Sequence, residues 1–263
     1  MYALVLTFDK YRPFAAHMIQ CYEKLWPDNP FIFRVPYQGE GVKIYYEEKF
    51  GKKVEMIKSP SGIVDTMCAL SEGLKEEEWV YWCMDDRYPV KLDTCTINKC
   101  LSLLNSKNII SGIMFCNNPQ IWYKEHNYGK EYVIKDCGLT LYRRRDYTMI
   151  WNHQFLRVDV IKTFFNLFPR DMKQAKEMDY IKDRAILPDR QHLYVLDFNA
   201  GVYGESTTRG VITLNCYESL IKHCFDIPEG FSVSKKRIYK GKNSKLYNKL
   251  YPFYVKLKKY LHA

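Results

Sequence analysis

Two adjacent carboxylates, Asp85 and Asp86, directly follow the apolar and aromatic run Trp79–Met84. Such a run is typical of a buried strand, and Pro89 should prevent that strand from continuing beyond the acids. The pair would then lie at the carboxyl end of a strand, the edge at which open α/β sheets bind ligands. Carboxylates at this edge predict a site for Mn²⁺ or Mg²⁺ held against a diphosphate. A solvated turn is the alternative interpretation.

The start of the chain supplies further polar groups for the same edge. Residues 2–8 predict a buried strand, a helix from Pro13 to about Trp26 follows, and residues 31–37 predict a second strand. This β-turn-α-β order brings four side chains to the carboxyl edge of the first strand: Thr7, Asp9, Tyr11 and Arg12. For Asp9, capping of the helix is a second explanation.

Asp65 is another candidate for this edge. It lies in the first turn of a predicted helix over residues 63–74, off the apolar stripe of that helix. A carboxylate in the first turn favours the helix N-terminus, and from the same position it could face a cleft shared with Asp85. The spacing leaves both explanations open.

The rest of the chain continues the alternation of helices and strands. Predicted strands cover residues 53–58, 109–114, 139–143 and 192–204, and predicted helices cover 94–105, 160–168 and 215–224. A polar helix over residues 173–184 carries Glu177 and Asp179 near its start. These acids are candidates for a catalytic base, and a solvated helix face with i,i+4 pairing explains them at least as well.

Composition limits the classes of protein. The 263 residues are 47% hydrophobic, enough for a sizeable core, so we expect one catalytic domain over residues 1–230 and a tail over residues 231–263. The nine cysteines form no C-x-x-C pair, which indicates neither a disulfide framework nor a zinc cage and makes a reducing cytoplasm the simplest location. We expect neither a signal peptide nor a membrane-spanning segment.

The formal charge of +10 is typical of a nucleic-acid binder, but its distribution argues against that class. Residues 231–263 hold ten Lys and Arg side chains and no acid, so residues 1–230 are formally neutral. An apolar stripe at helical spacing in the tail, which includes Leu246, Leu250 and Leu257, predicts a basic amphipathic helix on an anionic membrane surface. A tail helix packed on the body, with its lysines in water, is the alternative.

Several stretches, read in chain order, match the pattern of one known family. They are Thr7–Tyr11, Tyr22–Asp28, Trp79–Tyr88, Ile150–Asn152 with Leu156, Glu177, Arg209 with Gly210, Glu218–Lys222 and Ile227. Together they resemble a group of bacterial glycosyltransferases of the GT-A fold that build capsular or lipopolysaccharide sugars. The resemblance covers most of residues 3–228, which makes it more specific than any single motif.

This resemblance implies a single GT-A-type, Rossmann-like α/β domain with a mixed central sheet, which transfers a sugar from a UDP- or dTDP-type nucleotide sugar to a glycan or lipid-linked acceptor. It implies metal binding by Asp86 and Asp85, a catalytic base at Glu177 or Asp179, and donor binding by a set that also includes Thr7, Asp9, Tyr11, Arg12, Asp65 and Trp151. The acids stand as Asp85-Asp86-Arg87 and not as Asp-x-Asp, which is a departure from the family pattern.

Two other functions remain open at this stage. A non-enzymatic protein could grip nucleic acid with its basic, tyrosine-rich tail, but the neutral body would then have no role, so no nucleic-acid partner is expected. A nucleotidyltransferase could use a similar sheet and carboxylates, but no glycine-rich basic loop follows the first strand. For a surface-glycan transferase we expect a cytoplasmic protein bound peripherally at the inner face of the cytoplasmic membrane.

Overall fold

A computed structural model describes residues 1–106, 109–116, 133–144, 150–171, 178, 181 and 187–241. Within these residues, nine strands form one mixed sheet: β1 (Tyr2–Leu6), β2 (Ile32–Tyr37), β3 (Val54–Lys58), β4 (Trp79–Met84), β6 (Ile110–Met114), β7 (Val133–Asp136), β8 (Leu139–Arg143), β9 (Gln154–Arg157) and β10 (His192–Leu196). Their order across the sheet is β3-β2-β1-β4-β9-β6-β10-β8-β7. The predicted α/β fold with a mixed central sheet is confirmed.

The first half of the sheet is parallel. Strand β1 pairs with both β2 and β4, and β2 pairs with β3. The connecting helices are α1 (Arg12–Leu25), α2 (Glu40–Phe50) and α3 (Ile63–Ser71). Because these strands run in the same direction, the ends of β1 and β4 reach one edge together, with Leu6 paired to Met84.

The second half mixes directions. Strand β9 runs antiparallel between β4 and β6, and β10 is parallel to β6. The hairpin of β7 and β8 adds an antiparallel edge beside β10. Helix α4 (Thr94–Leu104) precedes β6, and helix α5 (Val158–Asn166) follows β9. The antiparallel insertion gives the sheet its mixed character.

A second, three-stranded sheet lies beside the end of β4. It contains β5 (Arg87–Leu92), β11 (Gly201–Glu205) and β14 (Tyr239–Lys240), in the order β14-β11-β5. Strand β4 ends at Met84, as predicted, but Pro89 does not keep the next residues out of a sheet, because a separate strand, β5, begins directly after Asp86. A proline is tolerated there since β5 is an edge strand.

Two further elements complete the described fold. The predicted single strand over residues 192–204 is two strands, β10 and β11, which belong to different sheets. After β11 the chain forms a short hairpin of β12 (Thr207–Thr208) and β13 (Val211–Ile212), followed by helix α6 (Leu214–Lys222). The small sheet and this hairpin fold over the carboxyl edge of the main sheet.

A buried aromatic network packs beneath this edge. The Tyr22 hydroxyl lies 2.8 Å from the Tyr81 hydroxyl, 2.9 Å from the Tyr203 hydroxyl and 2.7 Å from His153 Nδ1. His153 Nε2 lies 3.1 Å from the nitrogen and 3.0 Å from the carbonyl oxygen of Met84. This network joins α1, β4, β11 and the residue before β9, and through His153 it holds Met84, which precedes the two acids.

The predicted tail is only partly covered by the described residues. Residues 231–241 contain β14, and Phe231 packs its ring edge-on against Tyr11 and Phe14. The predicted tail helix with its apolar stripe lies beyond residue 241, outside the described residues, and stays a prediction. Among the residues that are described, there is no helix whose length and apolar character would let it cross a membrane.

Candidate active site

A cleft of about 920 Å³ opens where β1 and β4 end. Its walls come from the turn after β1, the end of β2, the loop before α3, and the β12–β13 hairpin, and its floor comes from the residues after β4. A cavity of this size is within the range that holds nucleotides and other cofactors. The carboxyl edge of the sheet therefore does carry a pocket, as the strand order predicts.

The cleft gathers most of the predicted binding residues. Its lining includes Thr7, Asp9, Tyr11, Asp85, Asp86 and Trp151. Arg12 and Asp65 are not part of that lining. Glu177 and Asp179, the two candidates for the catalytic base, lie outside the described residues. The functional roles assigned to all of these residues stay predictions.

Asp85 is held at the floor by its neighbours on adjacent strands. Because Leu6 pairs with Met84, the following residues, Thr7 and Asp85, lie side by side. The Thr7 hydroxyl donates a hydrogen bond of 2.6 Å to Asp85 Oδ2, and the Ser206 hydroxyl donates one of 3.2 Å to the Asp85 carbonyl. Asp85 is 8% exposed, so its carboxyl group is almost wholly removed from water.

Asp86 has fewer hydrogen bonds. Its carbonyl accepts one of 2.7 Å from the Ser206 amide, whereas its side-chain Oδ1 is buried and has no hydrogen-bond partner within the described structure. Arg87 follows it, and Glu205 stands opposite Arg87 in the small sheet. Lys240 Nζ lies 3.3 Å from Glu205 Oε2. The floor therefore combines three carboxylates with the Arg87 guanidinium, and Lys240 pairs with Glu205 from outside the lining.

Burial controls the charge of the two acids. Removal from water raises the pKa of Asp85 well above its usual value, and the neighbouring Asp86 raises it further. Burial also raises the pKa of Asp86, while the Arg87 guanidinium opposes that rise. Without a further positive charge, the pair favours a bound proton over a second negative charge.

A divalent cation fits this set of donors. Carboxylate oxygens are the ligands that Mg²⁺ and Mn²⁺ prefer. The unpartnered Asp86 Oδ1 supplies a free acceptor, and the raised pKa of Asp85 marks a carboxyl group that a cation would convert to its charged form. Asp85 and Asp86 could therefore hold the predicted metal.

Asp9 has a structural task that the sequence does not reveal. Its carboxylate accepts hydrogen bonds from the amides of Gln38, at 3.1 Å, and Gly39, at 2.8 Å. These amides lie just before the first residue of α2, so Asp9 holds the turn that leads into α2, and the predicted capping of α1 by Asp9 is not observed. Gly39 suits the contact, because a Cβ atom there would lie 3.3 Å from Asp9 Oδ2. Asp9 thus ties the end of β1 to the start of α2.

Arg12 and Asp65 have partners outside the cleft. The Arg12 guanidinium lies 4.4 Å from the centre of the Tyr45 ring, a cation–π distance. Asp65 pairs with the exposed Arg170 at 3.4 Å. Neither side chain is brought to the carboxylate pair, so the expected convergence of all the predicted residues is only partial.

Several lining residues were not predicted. Phe8 is 49% exposed and its ring centre lies 4.4 Å from that of Tyr11, which creates an aromatic rim. Glu205 adds a third carboxylate, and Thr208 has a buried hydroxyl without a hydrogen-bond partner in the described part of the chain. Arg209 and Gly210, at the tip of the β12–β13 hairpin, both have positive φ angles, of 52° and 78°. Arg209-Gly210 is the local signal that could have predicted this hairpin.

Comparison with known proteins gives structural similarity only. No protein-family model and no curated protein sequence matches the chain. Among solved structures, the chain is similar to an active-site mutant of LgtC, with 11% identity and a TM-score of 0.41 over 87% of this chain and 98% of that one.

Two further structures show the same level of similarity. S. aureus TarS 1-349 has 14% identity and a TM-score of 0.43 over 77% of this chain and 59% of that one. CMP:2-keto-3-deoxy-manno-octonic acid synthetase complexed with CTP has 11% identity and a TM-score of 0.43 over 85% of this chain and 98% of that one. Similarity this low leaves the function to be inferred from the cleft itself.

The raised pKa of Asp85 makes a prediction about stability. The native carboxyl group holds its proton more tightly than the unfolded one, so the metal-free protein should lose stability as pH rises from about the ordinary value of 3.8 towards the raised native pKa. Asp85→Asn removes this charge and keeps an oxygen for Thr7. In a buffer at pH 8 that contains a metal chelator, we expect the melting temperature of this variant to exceed that of the wild type by about 2–4 °C. This corresponds to about 1 kcal/mol in the free energy of unfolding.

Thermal unfolding monitored by circular dichroism from pH 3 to pH 8 measures this effect. The advantage of Asp85→Asn should disappear at the acidic end, where both native and unfolded carboxyl groups are protonated. Asp28→Asn, which changes an exposed aspartate, is the matched control and should follow the wild type. A variant that is no more stable than the wild type at pH 8 would contradict the assignment of a buried, proton-holding carboxyl group.

Proposed function

We propose that this chain is a glycosyltransferase that moves a sugar from a UDP- or dTDP-type nucleotide sugar to a glycan or lipid-linked glycan acceptor in surface polysaccharide synthesis. The observation that carries the proposal is the cleft at the carboxyl edge, whose floor holds two adjacent, buried carboxylates with an unpartnered oxygen. Acids buried next to each other lower stability unless a ligand compensates them. A diphosphate with a divalent cation provides that compensation.

The floor residues would take the diphosphate end of the donor. A cation held by Asp85 and Asp86 would supply Lewis-acid stabilisation of the departing diphosphate. Arg87 and Arg209 both line the cleft, and their guanidinium groups can pair with phosphate oxygens through two hydrogen bonds. These residues would stabilise the negative charge that develops as the sugar leaves.

The rim residues would take the nucleoside. Phe8 and Tyr11 offer aromatic faces on which a base can stack, and Thr7 and Asp9 lie beside them. Because the Asp9 carboxylate already binds two backbone amides, we assign it to shaping the nucleoside pocket as well as to contact with the ligand. Trp151 lines the same cleft and would contact the donor from the β9 side.

Acceptor activation requires a base. Removal of the proton from the acceptor hydroxyl is the second requirement of the transfer, and in an inverting enzyme Glu177 or Asp179 would meet it.

The tail would bring the enzyme to its acceptor, because lipid-linked acceptors lie at a membrane and each basic residue near an anionic bilayer contributes about 1 kcal/mol to binding. The enzyme would then act on the cytoplasmic face of the membrane.

The proposal predicts metal-dependent binding of a nucleoside diphosphate. UDP or dTDP with Mn²⁺ should raise the melting temperature of the protein more than either nucleotide alone, because a ligand that binds only the native state stabilises it in proportion to occupancy. At about 100 times the dissociation constant, the gain should be about 2.7 kcal/mol. Asp86→Asn should lose the increment that depends on Mn²⁺, since it removes one ligand oxygen.

The control variant is Glu77→Gln, which changes an exposed acid outside the cleft and should respond to nucleotide and Mn²⁺ like the wild type. Product analysis with nucleotide sugars and with CTP plus a sugar separates a glycosyltransferase from a nucleotidyltransferase, because only the second releases pyrophosphate. An unchanged melting temperature with every nucleoside diphosphate tested would refute the proposed donor site.

The two candidates for the base can be separated by kinetics. Substitution of the true base, by Glu177→Gln or Asp179→Asn, should lower turnover by about 10²–10⁴-fold and leave the affinity for the nucleotide unchanged. Each variant serves as the control for the other. If a substitution abolishes nucleotide binding, the residue belongs to the donor site; if neither lowers turnover, the base is a different group.

Membrane attachment is tested with vesicles that contain phosphatidylserine. Removal of residues 242–263 deletes six of the ten basic residues of the tail and keeps β14, so the small sheet stays complete. The full chain should sediment with the vesicles, less so as salt rises, and the shortened chain should stay in solution. Sedimentation that is insensitive to salt, or absent, would show that the tail does not bind the membrane electrostatically.

A further inference from the structure

A second cavity, of about 360 Å³, lies between α1, β5 and α6 and shares no lining residue with the carboxylate cleft. Beside it, two helices each present a pair of side chains at i,i+4 spacing to the other helix. Helix α1 contributes His17 and Cys21, and α6 with its first following residue contributes Ser219 and His223. Residues four apart lie on the same face of a helix, so the two pairs meet across the interface.

The distances within this cluster match those of a metal site. Cys21 Sγ lies 3.5 Å from His17 Nε2 and 3.9 Å from His223 Nδ1. The possible ligand atoms of these three residues all lie within 4.8 Å of one another. In a tetrahedral zinc site, bonds of about 2.3 Å to sulfur and about 2.0–2.1 Å to nitrogen separate sulfur from nitrogen by about 3.5–3.6 Å. The two sulfur–nitrogen distances, 3.5 Å and 3.9 Å, agree with this geometry to within a few tenths of an ångström.

We propose that His17, Cys21 and His223 bind a zinc ion that joins α1 to the end of α6, with a water molecule from the cavity in the fourth position. A thiolate with two imidazoles is a donor set that zinc favours over magnesium, manganese or calcium. The cavity, which Cys21, Ser219 and His223 line, supplies an entry path. This site does not depend on the proposed transferase activity.

The protonation of the ligands is compatible with this binding. Burial lowers the pKa of His17 to about 3, and the pKa of His223 is lowered by burial and by Lys24 and Lys222, so both imidazoles are neutral at pH 7. Burial raises the pKa of the Cys21 thiol to about 12, and zinc would displace that proton when it binds. The neutral rings can each offer a nitrogen lone pair.

The surroundings of His17 limit the affinity. His17 Nδ1 is buried and has no hydrogen-bond partner in the described part of the chain. Zinc-bound histidines ordinarily donate this second nitrogen to an acceptor, and loss of such a partner weakens metal binding by about 10–100-fold. We therefore expect a site that binds zinc more weakly than a fully supported structural site.

The ion would have a structural effect that reaches the cleft. The His17 ring packs on Tyr88, with ring centres 4.6 Å apart, and the Tyr88 hydroxyl accepts a hydrogen bond of 2.8 Å from Asn215 at the start of α6. Tyr88 follows Arg87 in β5. A zinc ion that fixes α1 against α6 would thus also fix the strand that continues from the paired acids.

Cobalt provides the test, because tetrahedral Co²⁺ bound to a thiolate has a charge-transfer band in the ultraviolet and strong visible bands. We expect the reduced, chelator-treated full chain to bind one equivalent of Co²⁺ with these bands, and zinc to abolish them. Cys21→Ser should remove the charge-transfer band, and His223→Gln should lower the apparent affinity by about 100-fold or more. Circular dichroism checks that both variants are folded.

Matched controls separate this site from other thiols and from the carboxylates. Cys224→Ser removes the exposed cysteine next to His223, and Asp86→Asn alters the cleft; both should keep the full cobalt spectrum. Persistence of the charge-transfer band in Cys21→Ser, its loss in Cys224→Ser, or no thiolate band in the wild type would each overturn the proposal.

Discussion

The burial of two adjacent acids at the end of β4 is the constraint on which the candidate site depends. Asp85 and Asp86 directly follow β4, in which every residue except Trp79 is buried, so the sheet holds the start of this segment in the core. Hydrogen bonds from Thr7 and Ser206 hold them in place, while burial raises the pKa of both carboxyl groups. The fold therefore maintains an unfavourable arrangement that a cation or a proton relieves, which is a common property of functional sites.

The buried side chains that hold the end of β4 in position are polar but carry no charge. Burial lowers the pKa of His153 to about 3 and raises the pKa of Tyr22 and Tyr203 well above the usual value, so the network that holds Met84 carries no charge at neutral pH. Neutral hydrogen bonds fix geometry inside a core at a much smaller desolvation cost than ions. Along this segment, charged side chains begin only after Met84, with Asp85, Asp86 and Arg87, which line the cleft.

The sequence predicted the elements whose signal is local and missed those that depend on distant partners. Strands β1, β2, β3 and β4 were found from their apolar runs, and the parallel order then brought Thr7 and the paired acids together.

Helix α2 was missed because only Tyr46 of its residues is buried. Strand β5 was missed because Pro89 is acceptable only at a sheet edge, which no local pattern reveals. The hydrogen bonds of Asp9 to the turn before α2, and the position of Glu205 opposite Arg87, follow from these two missed elements. The cysteine spacing likewise gave no sign of the cluster around Cys21, since His223 comes from about 200 residues away in the chain.

Strand β5 connects the two faces of this region. Successive residues of a strand point to opposite sides, so Arg87 lines the cleft while Tyr88 points to α1 and α6. A Cβ atom on Gly204, which stands opposite Tyr88 in β11, would overlap Cζ of the Tyr88 ring, so the ring lies directly over the backbone there. Tyr88 thus has no room to shift towards β11, and its position follows the packing of α1 against α6. Because Asp86 and Arg87 are bonded neighbours in the same segment, the geometry of the carboxylate floor is set in part by contacts on the opposite side of the small sheet.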